Sequence, residues 1–169
     1  ELKSVVFNDV PFAFRRWQQH NIPIYIYSSG SIAAQKLLYA YTRFGDLTPF
    51  IAGYFDTTTG PKRSASSYVS IGKAVGVDVS RLLFATDIVE EGVAAKEAGY
   101  ACVSVRVVYV YAHRSHFFRF CFALSCVMRA HRCMVRFGRV VIMDRPGNAP
   151  LPPAHGFAVA PNLLDPQSF

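Results

Sequence analysis

The chain has 169 residues, 51% of them apolar and 17% charged, which suits one ordinary domain with a real core and excludes a disordered polyelectrolyte. Its formal charge of +7 is unevenly spread: residues 107–144 hold six Arg and one Asp, carrying +5 and leaving +2 for everything else. The run 117–128 is apolar but interrupted by Arg119, and it falls short of the roughly 20 residues of a membrane-spanning helix.

In chain order, the pattern predicts a helix over 11–20 and then a strand over 22–27, short and rich in branched and aromatic residues. The strand ends in Ser28-Ser29-Gly30-Ser31 ahead of the helix-forming run Ala33-Ala34-Gln35-Lys36-Leu37-Leu38, with the helix expected over 31–41. A polar turn at the carboxyl edge of a strand, followed by the free N–H groups of a helix start, can cradle a phosphate. The plainer alternative is that Ser31 only caps the helix. A short strand is expected over 52–55, then Thr57-Thr58-Thr59-Gly60-Pro61 and Lys62 at the mouth of a helix over 63–75. Lys62 there could give a phosphate a point charge, or could be one more surface lysine.

A strand is expected over 81–86, with Leu82, Leu83, Phe84 and Ala85 continuously apolar as a strand covered on both faces should be. Asp87 stands at its tip, and Glu91 lies in the first turn of a helix over 89–98. Two carboxylates on one lip make an oxygen-ligand set suited to Mg²⁺, while acidic residues at a helix start also simply favour its dipole. A strand over 101–105 and a final short strand over 157–159, after a Pro-rich loop at 146–153, complete the reading. Strands alternating with helices at this spacing predict an α/β fold, a Rossmann-like three-layer core with a parallel sheet and right-handed crossovers.

The sequence resembles the enolase-phosphatases, or acireductone synthases, of methionine salvage within the haloacid-dehalogenase superfamily. The resemblance is carried by Asp9-Val10-Pro11, by Tyr25-Ile26-Tyr27-Ser28-Ser29-Gly30-Ser31 with Ala34-Gln35-Lys36-Leu37-Leu38, and by Gly45-Asp46-Leu47. It runs on through Gly53-Tyr54-Phe55-Asp56-Thr57, Lys62 with Ser66-Ser67-Tyr68, Leu83-Phe84-Ala85-Thr86-Asp87 with Glu91 and Ala94-Ala95, and Arg145-Pro146-Gly147-Asn148-Ala149. It implies that Ser28 and Ser29 bind the substrate phosphate, that Lys62 assists, and that Asp87, with Glu91 at the rim, holds Mg²⁺. It further implies a haloacid-dehalogenase-like core made of 1–106 and 145–169, a small phosphorylated substrate, a monomeric complete enzyme, and no nucleic-acid or membrane partner.

Two departures accompany the match. Family members carry an Asp-x-Glu-Gly-Thr string whose first Asp attacks phosphorus, and a helical cap after it; this chain contains no such string. Asp9 and Asp56 cannot stand in, since neither follows an apolar strand with the downstream Gly-Thr. With the nucleophile absent, covalent phosphoryl transfer has no acceptor, and an N-terminally incomplete, inactive chain is expected. The second departure is 107–144, which separates Ser104-Val105-Arg106 from Arg145, where the family runs directly between the two. The repeated Val-Arg to Asp-Arg junction suggests read-through of non-coding sequence such as a retained intron.

Within that stretch His113, His116, Cys121, Cys126, His131 and Cys133 invite zinc, but no Cys-x₂-Cys pair exists and the spacings fit no usual structural site. Basic residues interleaved with Phe and Tyr could touch nucleic acid or an anionic membrane; a mobile, aggregation-prone segment without a partner surface is the expectation. Four Cys without paired spacing and no signal segment point to a reducing compartment, cytoplasm or nucleus. Two functional readings follow: a partial, Mg²⁺-dependent phosphohydrolase acting on 2,3-diketo-5-methylthiopentyl-1-phosphate, or a non-catalytic remnant that keeps a phosphate-binding module of the same fold.

Overall fold

The computed structural model describes residues 3–86, 88–105, 126–129, 141–143 and 158–159. Helix α1 spans Asp9–Gln19, two residues earlier than the pattern predicts, because Pro11 falls in the first turn, where its missing N–H costs no intrahelical bond. Strand β1 follows at Ile24–Tyr27, helix α2 at Ile32–Ala40 and strand β2 at Ile51–Phe55. Helix α3 is Ala65–Val75, closed by Gly76 in the left-handed conformation. Strand β3, Leu82–Thr86, leads to helix α4, Val89–Glu97, and strand β4, Ala101–Val105. Three further strands are β5 at Cys126–Arg129, β6 at Val141–Met143 and β7 at Ala158–Val159.

Among the described residues, the seven strands join one sheet in the order β2-β1-β5-β3-β4-β6-β7. The pairs β1/β2, β3/β4, β4/β6 and β6/β7 are parallel. β5 runs antiparallel to both its neighbours, Val127 standing between Tyr25 and Phe84 and Cys126 between Ile26 and Ala85. The α/β class with a parallel sheet is therefore present, with one reversed strand near its centre. The expectation that 107–144 lacks a partner surface is corrected at β5 and β6. Apolar segments of that stretch satisfy their backbone groups in the sheet, which a free segment could not do. The zinc candidates His113, His116, Cys121, His131 and Cys133, the junction Arg145 to Asn148 and the Pro-rich loop lie outside the described residues.

Alternation along each strand divides the core into two layers of packing. Ile24 and Ile26 of β1 and Leu83 and Ala85 of β3 point to one face, where Val10, Phe14 and Trp17 of α1 and Tyr39 of α2 cover them. Tyr27, Leu82 and Phe84 point to the other, against Tyr68 and Ile71 of α3 and Ala94 and Ala95 of α4. All five residues of β3 are buried, as a strand between two helical layers requires.

The chain leaves β1 through α2 for its outer neighbour β2, and leaves β3 through α4 in the opposite direction for β4. The carboxyl ends of β1 and β3 thus flank a topological switch point, where open α/β sheets form their ligand crevices. Among the described residues no helix is long and apolar enough to cross a membrane.

Candidate active site

The turn after β1 is held from several sides. The Ser28 backbone N–H donates to the Phe55 carbonyl at 3.1 Å, and the Gly30 N–H donates to Ser28 Oγ at 3.2 Å. Gln35, buried in α2, donates through Nε2 to the Gly30 carbonyl at 2.8 Å and to the Phe55 carbonyl at 2.9 Å. Ser31 does cap α2, its Oγ accepting from the Ala34 N–H at 3.3 Å. That leaves Ser29 as the exposed hydroxyl of the turn, with Ser28 buried beneath it.

Asp56, at the end of β2, ties the neighbouring loop to the same helix start. Its Oδ1 accepts from the Thr58 N–H at 2.9 Å and the Thr58 hydroxyl at 2.6 Å, while Oδ2 accepts from the Ile32 N–H at 3.3 Å. The Thr58 hydroxyl and N–H, helped by the Ile32 N–H, hold this carboxyl below the usual carboxylate range against a smaller opposing effect of burial. Both oxygens are committed to positioning.

Lys62 precedes α3 and reaches across the switch point. Its Nζ lies 3.0 Å from both carboxylate oxygens of Glu91 and 5.6 Å from the centroid of the Tyr27 ring, the residue just before Ser28. The Thr86 hydroxyl, at the tip of β3, donates to Glu91 Oε2 at 2.6 Å. Glu91 is only 4% exposed, and this pairing and hydrogen bonding offset the cost of burying it. The bridge Tyr27–Lys62–Glu91–Thr86 therefore spans the ends of β1 and β3, with Ser28 and Ser29 at one abutment.

Lys62 and Glu91, picked out separately in the sequence, are brought into direct contact, with Ser28 beside Tyr27. Asp87 lies outside the described residues. Tyr27, Ser67, Tyr68, Thr86 and Gln35 were missed as site-building residues, although their order in the sequence held a signal. Tyr27 abuts Ser28, Thr86 abuts Asp87, and Ser67-Tyr68 stands at a fixed distance after Lys62.

Among the described residues there is no group of three or more His, Cys, Asp or Glu able to hold a metal ion. Both oxygens of Glu91 face an ammonium group, which a directly bound cation would have to displace. The described residues, which do not include Asp87, therefore do not by themselves make a metal centre.

No family model matches the chain. It is 42% identical over 158 residues to a maize (Zea mays) protein named "Probable bifunctional methylthioribulose-1-phosphate dehydratase/enolase-phosphatase E1", covering 93% of this chain and 23% of that protein. A moss (Physcomitrium patens) protein of the same name is 42% identical over 166 residues, covering 98% of this chain and 25% of the relative. Among solved structures, the UTR4 protein of Saccharomyces cerevisiae superposes with a TM-score of 0.65 at 28% identity, over 95% of this chain and 57% of that one. The chain is a homologue of the enolase-phosphatases and spans about a quarter of the length of the curated relatives it matches.

Proposed function

We propose, from this kinship, that the chain is the phosphate-binding and charge-balancing part of a haloacid-dehalogenase-like enolase-phosphatase. The complete enzyme would take 2,3-diketo-5-methylthiopentyl-1-phosphate to acireductone and phosphate. The observation that carries the reading is the Lys62–Glu91–Thr86 bridge over the switch point, with the Ser28-Ser29-Gly30 turn at its edge. In this reading Ser28, Ser29 and the turn N–H groups hold phosphate oxygens, and Lys62 divides its charge between Glu91 and the phosphate.

Mg²⁺ is the cofactor of this proposal, with Asp87 as its candidate ligand and Glu91 serving chiefly as the counter-ion of Lys62. The cation would supply further neutralisation of phosphate charge. The attacking carboxylate is missing from this sequence, so the chain as written binds rather than turns over. Joining it to a segment that bears Asp-x-Glu-Gly-Thr is the test. The joined protein should release phosphate from the diketone with Mg²⁺ present, and Asp87→Ala should abolish that release. Lys62→Ala should lower kcat/KM about 10²-fold, roughly 2.7 kcal/mol, the scale of one lost electrostatic contact in a dry site. Failure of the joined, folded protein to turn over would favour the second reading, a phosphate-binding module without catalysis.

A further inference from the structure

The loop carrying Lys62 belongs to neither a strand nor a helix; its own N–H groups meet the Asp56, Thr57 and Pro61 carbonyls, the last from Ser64 at 3.0 Å, and side-chain hydroxyls meet three carbonyls in succession. The Tyr27 hydroxyl donates to the Gly60 carbonyl at 2.7 Å, Ser67 Oγ to the Pro61 carbonyl at 2.8 Å and the Tyr68 hydroxyl to the Lys62 carbonyl at 2.6 Å. The donors come from β1 and from the start of α3, so the loop is held by both a strand and a helix.

The grip is stiff. Tyr68 is fully buried and stands edge-on to Tyr27 at 5.7 Å, to Phe84 at 4.9 Å and to Tyr100 at 5.6 Å between centroids. Burial raises the Tyr27 pKa against the opposing effect of a hydrogen bond with Ser67, and the charges of Glu91 and Asp56 add to the rise. Gly60 has φ +139°, and a Cβ on it would come within 2.3 Å of Ser67 Oγ, so the loop lies closer to α3 than any side chain would allow.

We propose that Tyr27, Ser67 and Tyr68 are positioning residues: their hydroxyls clamp the backbone of residues 60–62 and so set where the Lys62 ammonium stands. The inference rests on reading Lys62 as a phosphate contact. The clamp fixes the backbone end of a long, rotamer-rich side chain, and Glu91 fixes its charged end. Neither alone would hold a point charge at one place in the crevice.

Tyr100 supplies the control, since its hydroxyl donates to the Tyr68 carbonyl at 2.8 Å in the same aromatic cluster without touching the loop. Tyr68→Phe, Ser67→Ala and Tyr100→Phe each delete one hydroxyl. Competitive acetylation of the full chain, with exposed Lys36 and Lys73 as internal references, reads the accessibility of Lys62, whose side chain is 11% exposed. Lys62 should label about tenfold faster in Tyr68→Phe and in Ser67→Ala, the factor expected for roughly one hydrogen bond, and at the unchanged rate in Tyr100→Phe. Affinity for inorganic phosphate should fall by a similar factor in the first two variants only.

Equal labelling of Lys62 in Tyr68→Phe and Tyr100→Phe overturns the clamp, whatever happens to melting temperature. Should the unaltered chain take no phosphate while the labelling contrast persists, the clamp stands and the phosphate reading falls. If Tyr68→Phe does not fold, Ser67→Ala against Tyr100→Phe decides by the same contrast.

Discussion

Glu91 keeps its carboxylate inside the protein because Lys62 meets both oxygens at 3.0 Å and the Thr86 hydroxyl meets one of them at 2.6 Å. Removing the ammonium strands the acid in a poorly solvated place, which is worse than removing both groups. Lys62→Met should therefore cost on the order of 3 kcal/mol in urea unfolding, and the double variant Lys62→Met/Glu91→Leu should recover most of it. Equal losses in single and double variants would mean that the pair does not couple. Asp56 makes a different prediction, one of pH. Its folded pKa lies below the ordinary 3.8, chiefly through Thr58, so its contribution is fully present above the unfolded value and is lost as pH falls through the folded one. The stability gap between the unaltered protein and Asp56→Asn should be flat above about pH 5 and close progressively below about pH 4. A gap unchanged at pH 3 would contradict the assignment.

Two elements carry their own tests. The loop entering α3 depends on Gly60, where φ is +139° and Ser67 Oγ would lie 2.3 Å from an added Cβ. Gly60→Ala should destabilise by about 1–3 kcal/mol, and adding Ser67→Ala should return only part of it, because the backbone strain outlasts the clash. Full recovery would show that the clash alone mattered. In the sheet, β5 is the hydrogen-bonded link between β1 and β3, which do not pair with each other. Val127→Pro removes a ladder donor from a strand with neighbours on both sides and should cost about 3 kcal/mol or more. An unaltered melting temperature would remove β5 from the folded sheet. Deleting 107–144 takes out β5 and β6, so folded yield should drop.

At the scale of the molecule, the proposed function separates phosphate binding from phosphate release. The crevice between β1 and β3 has an anchored polar turn and a clamped cation, but the sequence offers no carboxylate after a strand followed by Gly-Thr to accept a phosphoryl group. The chain should release no phosphate from p-nitrophenyl phosphate above a blank containing Mg²⁺. Turnover by the pure chain that depends on Mg²⁺ would show that another residue accepts the phosphoryl group.

Local chemistry was enough to read most of the frame from the sequence. Branched and aromatic runs define β1 and β3, Ser31 and Gly76 punctuate α2 and α3, and the alternation of strand and helix implies parallel pairing. Ser28, Ser29, Lys62 and Glu91 were visible because each sits at a junction where a polar side chain is conspicuous. What stayed hidden depends on residues distant in the chain. Lys62 and Glu91 are 29 apart and meet only because α3 and α4 lie on the same face of the sheet. The hydroxyls of Tyr27 and Tyr68 look like core aromatics until the packing turns them onto a loop's carbonyls. β5 is the sharpest case: Cys126–Arg129 has no turn signal or alternation to mark it, and becomes a strand because two ladders, at β1 and at β3, offer unpaired donors and acceptors on either side. Residue types and spacing determined the α/β frame and the chemistry at its edges; which groups face one another, and what fills the sheet between β1 and β3, was decided by tertiary pairing of backbone groups that no local sequence rule encodes.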